Sequence, residues 1–205
     1  MASALTAEIA VQAARLVVEE GLDYGAAKRR AARDVRMQGG GAPELPDNET
    51  VEDEVRAYID LFHADTQPAE LAALRATALV WMERLAAFRP HLTGAVWRGT
   101  ATRQSDIHLD LFCDDSKSAE LALIDRGVDY DVVPGEGRDA PDTLVVHERV
   151  KGGPPRRVAL HVLDYDDLRG ALRRDARGRP WRGDLAATRA AMAAAADERT
   201  ESDGG

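Results

Sequence analysis

Gly94-Ala95-Val96-Trp97-Arg98-Gly99-Thr100-Ala101-Thr102-Arg103-Gln104-Ser105-Asp106-Ile107-His108-Leu109-Asp110-Leu111 is the stretch on which the reading of the chain turns. It opens on a glycine, passes a second glycine at Gly99, and closes in an alternating run. In that run Ile107, Leu109 and Leu111 fall on one face of a strand. Asp106, His108 and Asp110 therefore share the other face, because side chains alternate along a strand. The glycines mark places where backbone can approach a ligand or another chain segment closely. Residues 93–97 read as a short strand ahead of this run.

Upstream the pattern is helical. In residues 5–20 the apolar positions Ile9, Ala13, Leu16 and Val17 recur at helical spacing, and Gly21 ends the helix. Asp23 caps a second helix over 24–38, which carries Lys28, Arg29, Arg30, Arg33 and Arg36. Gly39-Gly40-Gly41 with Pro43 and Pro46 reads as a linker near 39–46. A third helix runs from 48–50 to about 64 with a buried stripe of Val51, Val55, Ile59 and Phe62. A fourth runs from Thr66 and Pro68 to about Phe88, where Arg89-Pro90 stops it. Its apolar side holds Leu71, Leu74, Ala78, Trp81, Met82 and Leu85.

Downstream the period changes. Residues 116–126 read as a helix capped by Asp115 or Ser116. Residues 143–150 and 157–163 are β-rich and are joined by Lys151-Gly152-Gly153-Pro154-Pro155. A short helix over 166–174, a last helix capped by Asp184, and a frayed tail over 200–205 complete the chain. The expected order is four helices, then β-β-α-β-β, then helices. The expected class is α+β: an N-terminal helical region over 1–66, a small mixed sheet with flanking helices over 67–175, and a C-terminal helix and tail over 176–205.

Composition narrows the function classes. The 205 residues are 44% hydrophobic and 31% charged, enough to build a core, and only 5% aromatic, so that core rests on Ala, Leu and Val. The net charge of −9 argues against general coating of nucleic acid, which needs a positive field. A single cysteine, Cys113, leaves no internal disulfide and no cysteine-rich zinc site, and it reads as a small core residue. No apolar run reaches the roughly 18 residues of a membrane span. Residues 1–20 carry Glu8, Glu19 and Glu20 and no basic leader, so they do not read as a signal peptide. A cytoplasmic protein of bacterial type is expected.

The segment 94–111 resembles the signature of the nucleotidyltransferase superfamily, the DNA polymerase β-like fold. That signature is Gly followed by Ser or Gly, then about ten residues, then Asp-apolar-Asp/Glu-apolar. Here Gly94-Ala95 is followed by residues 96–105 and then Asp106-Ile107-His108-Leu109. Arg98-Gly99 and Ser105-Asp106-Ile107 match the minimal members of the superfamily, and a compatible element order extends over about 70–168. The resemblance implies a small nucleotidyltransferase-like mixed sheet and transfer of a nucleoside monophosphate from an NTP to an acceptor. It implies Mg²⁺ or Mn²⁺ held by two carboxylates on one strand face, stabilising an in-line displacement at phosphorus. On this sequence the metal and catalytic positions fall on Asp106, His108 and Asp110, with His161 as a further possible ligand. The phosphate-loop positions fall on Gly94, Arg98, Gly99, Thr100, Arg103 and Ser105.

The chain departs from the pattern in three places. Ala95 stands where a small hydroxyl residue or glycine is usual. His108 replaces the second carboxylate, and imidazole is a poor ligand for Mg²⁺. The counterpart strand offers His161 in its middle and Asp164 only at its end. Asp110 lies on the same strand face as Asp106, one pleat beyond His108, and could stand in. The alternative is a catalytically degenerate module that binds a nucleotide or a protein partner, as antitoxin-like members do.

A third reading makes the basic helix 24–38 a nucleic-acid surface. No aromatics interleave there to stack bases, so a solvated face, or pairing with the acidic 49–54 segment, is the plainer account. His63, His91 and His147 lack metal-ligand spacing. Trp81 and Trp97 read as core, with Trp97 also a base-stacking candidate. No P-loop, nucleophile elbow or Rossmann glycine fingerprint is present.

Overall fold

The structure is a computed structural model that describes residues 4–37, 44–115, 117–135, 142–151, 153, 155–170 and 173–202. The expected glycines and first proline of the 39–46 linker, the Ser116 cap, and Gly152 and Pro154 of the expected hairpin lie outside these residues. The chain divides into two compact units. One comprises Met1–Leu71 with Thr100–Ser105, and the other Ala72–Gly99 with Asp106–Gly205.

The first unit is built on α1 (Ala4–Glu20), α2 (Tyr24–Met37) and α3 (Asn48–Phe62), with α1 packed on both of the others. Its core takes Ile9, Ala13 and Val17 from α1, Ala27, Ala31 and Val35 from α2, and Val51, Val55 and Ile59 from α3. Each set recurs every four residues, which keeps it on one helix face. Asp23 and Asp47 cap α2 and α3, accepting from the backbone N–H groups of Ala26 and Thr50 at 2.8 and 2.7 Å. Gly21 is needed for its φ of +70° and for space: a Cβ there would lie 2.4 Å from the carbonyl oxygen of Gln104.

Two expectations change in this unit. Phe62 is exposed rather than part of the α3 stripe; as the last residue of the helix it leans on Tyr58, with ring centroids 4.6 Å apart. Glu52 is buried instead, and Arg56 holds it at 2.8 Å. The basic stretch of α2 turns partly inward. Lys28 donates to the carbonyl of Pro46 and to Asn48 Oδ1, and Arg30 pairs with Glu20. Lys28 thus reaches the start of α3.

The unit boundary falls inside α4 (Gln67–Arg84). The second unit carries a five-stranded mixed sheet in the order β1-β2-β5-β4-β3. The strands are β1 (His91–Thr93), β2 (Ile107–Cys113), β3 (Asp131–Val133), β4 (Thr143–Glu148) and β5 (Arg156–Asp164). Only β2 and β5 run parallel; their connection passes through α6 (Lys117–Asp125), β3 and β4. Ile107, Leu109 and Leu111 are fully buried together with Val158 and Leu160 of β5. Arg156 donates to the Ala73 carbonyl at 2.9 Å, and the Trp81 indole donates to Glu148 at 3.0 Å, tying α4 to the strands. The class is α+β, helices with a mixed sheet, as the sequence pattern indicates.

The expected strand over 93–97 is not formed. Extended backbone stops at Thr93, Gly94 turns with φ +67°, and Gly94–Arg98 forms a short helix, α5. Gly99 closes α5 in the left-handed conformation, its N–H bonded to the Ala95 carbonyl. Buried Arg75 donates to the Val96 and Trp97 carbonyls at 3.2 and 3.3 Å, satisfying the helix end. The order is therefore β-α-β rather than β-β at this point. The fourth helix ends at Arg84 and is followed by a 3₁₀ turn, Ala86–Phe88. Of the short helix expected over 166–174, Tyr165–Gly170 forms a 3₁₀ segment, and residues 171–172 lie outside the described residues. The last helix, α7 (Leu185–Ser202), is capped by Asp184 and runs past the expected fraying point at Thr200.

Candidate functional site

The sheet register brings the singled-out residues of β2 to their neighbours. Thr93 of β1 lies opposite His108, and His91 opposite Asp110. On the other side, β5 places Ala159 beside His108 and His161 beside Asp110. The turn at Gly94 rests on the imidazole of His108: a Cβ at Gly94 would lie 3.4 Å from His108 Cδ2.

His108 and His161 come together. His108 Nδ1 lies 3.0 Å from His161 Nε2, and the two rings are parallel within 3°. His161 Nδ1 lies 3.1 Å from Thr143 Oγ1 of β4. Three side chains from three strands thus form one hydrogen-bonded row. Burial holds the His161 pKa below its ordinary value of 6.5, against the opposing pull of Asp110. One ring nitrogen of the pair donates to the other, so at least one of the two nitrogens is an unprotonated acceptor.

The two carboxylates on either side are each met by a guanidinium. Arg157 Nη1 lies 2.6 Å from Asp106 Oδ2. Burial pushes the Asp106 pKa up, and Arg157 and then His147 hold it back. Asp110 is 7% exposed, and Arg182 Nη1 stands 2.9 Å from its Oδ2. Burial raises the Asp110 pKa too, countered by Arg182, His161 and His91 in that order. The Arg182–Asp110 contact is one of charge, without the direction of a hydrogen bond. Nε and Nη1 of Arg182 are both enclosed with no hydrogen-bond acceptor. A buried donor left unmade costs about 1–3 kcal/mol.

Arg182 is delivered by the segment 173–184. Gly183 exchanges two backbone hydrogen bonds with Leu92 of β1, at 2.8 and 2.9 Å. Trp97 lies against Gly183 and donates from its indole to the Pro180 carbonyl at 2.9 Å. Asp175, with no exposed side-chain surface, receives Arg98 and Arg179, each at 2.9 Å. Burial works to raise its pKa, but backbone N–H of Arg179 and the two guanidinium groups outweigh it and bring it to about 2. Arg98 also lies over the Trp181 ring, 5.0 Å from its centroid.

The expected phosphate-loop residues divide between the two units. Gly94, Arg98 and Gly99 belong with the sheet, and there Arg98 is committed to Asp175. Thr100, Arg103 and Ser105 belong with the helical unit. The backbone N–H of Arg103 donates to Glu70, and Ser105 Oγ accepts from the Thr102 N–H. Thr100 is 1% exposed, and its hydroxyl is enclosed without a hydrogen-bond partner.

The donor set does not fit Mg²⁺. That ion takes hard oxygen ligands in near-octahedral order. Here the middle position is an imidazole bound to another imidazole, and both carboxylates face a guanidinium. Among the described residues no three His, Cys, Asp or Glu side chains gather where they could hold a metal ion.

Sequence reasoning did not single out Arg157, Thr143, Asp175 or Arg182. Arg157 was within reach of it: two-residue alternation along β5 puts 157 on the face of His161. Arg182 carries no local signal, because its role depends on how 173–184 returns to β1.

No family model and no curated protein matches the chain. Among solved structures it is similar to Cid1 poly(U) polymerase bound to MgATP, at 16% identity over 48% of this chain and 32% of that one, with a TM-score of 0.33. It is also similar to Cid1 in complex with the UTP analog UMPNPP, at 15% identity over 54% and 36%, with a TM-score of 0.35. The chain spans about a third of the length of these solved chains.

Proposed function

We propose that this protein is a nucleotidyltransferase-like module that binds a nucleotide or its polyphosphate and does not transfer NMP. The sequence pattern Gly94-Ala95-x₁₀-Asp106-Ile107-His108 and the β1–Gly94–α5–β2 order support the nucleotidyltransferase-like part. One observation carries the second part: every polar position on the face of β2 already has an internal partner. Asp106 has Arg157, His108 has His161, and Asp110 has Arg182. Two dications bound there would have to displace two guanidinium groups and do without the central carboxylate. Metal-assisted displacement at phosphorus depends on that charge.

The test uses ATP, CTP, GTP and UTP labelled at the α-phosphate, with Mg²⁺ and with Mn²⁺, scored for retention on the protein and for transfer to the protein or to a cell extract. The reading expects retention of at least one nucleotide and no transfer with either metal. Transfer that is lost in Asp106→Asn would overturn it and restore an active transferase with Asp106, His108 and Asp110 at the metal.

A further inference from the structure

We propose that the outward ridge of α2, formed by Arg29, Arg33 and Arg36, holds the phosphate backbone of a nucleic-acid duplex without reading its bases. The ridge lies in the helical unit and owes nothing to the face of β2.

Ala27, Ala31 and Val35 make the buried side of α2, whereas Arg29, Arg33 and Arg36 are exposed. At 3.6 residues per turn the three arginines fall within about 60° of one another, directly opposite the buried side. At the helical rise they form a row about 10 Å long. Asp34, the only acidic residue of α2, stands about 130° round the helix from that row. The cations on the flanks are already engaged inside the unit: Lys28 with Pro46 and Asn48, and Arg30 with Glu20. Among the described residues no carboxylate forms an ion pair with Arg29, Arg33 or Arg36. Arg29 lies back over Gly25, where a Cβ would stand 3.2 Å from its Nη1. Asp23 Oδ1 lies by the same point and already accepts from the Ala26 N–H at 2.8 Å. The helix thus divides its cations, two holding the unit together and three facing outward.

A row of guanidinium groups matches a line of phosphates, because each planar fork accepts the paired oxygens of one phosphate. Ala26 and Ala32 flank the row and leave room for a backbone to approach. No aromatic side chain stands on the row, so the stacking that holds single strands is missing. Nor does it carry the apolar centre that a protein interface is built around. The net charge of −9 works against any polyanion, so binding through three arginines is weak and steep in salt.

The experiment is fluorescence anisotropy of the whole protein with short labelled DNA and RNA duplexes, each in two unrelated base sequences, over a series of KCl concentrations. Every duplex is expected to bind. Affinity should fall about 40-fold between about 50 and 200 mM salt, the log–log slope of about −2.7 that three phosphate contacts give. Arg33→Gln should reduce that slope by about 1. Arg30→Gln removes the same charge from a cation held by Glu20, and should leave the slope as it is. Arg29→Gln/Arg33→Gln/Arg36→Gln changes exposed side chains only; it should keep the wild-type circular dichroism and lose binding. No binding at low salt, binding kept in the triple variant, or equal effects of Arg30→Gln and Arg33→Gln would overturn the proposal. So would polyglutamate that displaces the labelled duplex as well as unlabelled duplex does, since the row would then be a dock for an acidic protein.

Discussion

Trp97 lies so close to Gly183 that a β-carbon at 183 would stand 2.2 Å from Cζ3 of the indole. The glycine is required by space, since nothing larger than hydrogen fits under the ring. Gly183→Ala therefore forces the indole or the strand-like pairing of Leu92 and Gly183 to move. Overpacking of this kind costs about 1–3 kcal/mol. Urea unfolding should show a loss in that range, and Trp97→Leu in the same background should recover part of it by making room.

A second prediction concerns the most direct repair of the motif. His108→Asp restores the second carboxylate of the Asp-apolar-Asp pattern. Arg157 on Asp106 and Arg182 on Asp110 remain, and the new carboxylate gains no metal partner from them. Transfer of α-phosphate label in Mg²⁺ should stay at background in this variant. Restored transfer would mean that the histidine alone stood between this site and catalysis.

Acid behaviour follows from Asp175. Its folded-state pKa of about 2 lies below the ordinary 3.8. The unfolded chain therefore binds the proton first as pH falls. The stability it contributes is present above the unfolded value and is lost as pH drops from about 4 towards 2. Wild type should be more stable than Asp175→Asn at pH 6, and the difference between their urea midpoints should shrink across that window. A gap that stays constant down to pH 2 would contradict the assignment.

Much of this was readable from the chain, for reasons that differ by residue. The caps at Asp23 and Asp184 were legible because a capping bond closes within three residues. The buried face of Ile107, Leu109 and Leu111 was legible because two-residue alternation needs no tertiary information. Gly94 reads as close-approach backbone, but its positive φ turns the chain into a short helix, and the apolar run Val96-Trp97 imitates a strand. β3 was missed because three exposed residues carry no pattern. The shared face of Asp106, His108 and Asp110 was also legible. What occupies that face was not: Arg157 comes from across the sheet, and Arg182 from a segment that follows β5 and closes back on β1. Asp110 reads as one of three polar residues on a shared strand face; it is buried, with the Arg182 guanidinium of that returning segment against it.

The most direct test of the account is a titration with Mn²⁺, following the free ion by electron paramagnetic resonance, in wild type and in Asp106→Asn/Asp110→Asn. The account predicts no stoichiometric Mn²⁺ site on the wild-type protein and the same trace for both proteins. One or two equivalents of Mn²⁺ held by wild type and released in the double variant would contradict it, and would return these carboxylates to a metal centre.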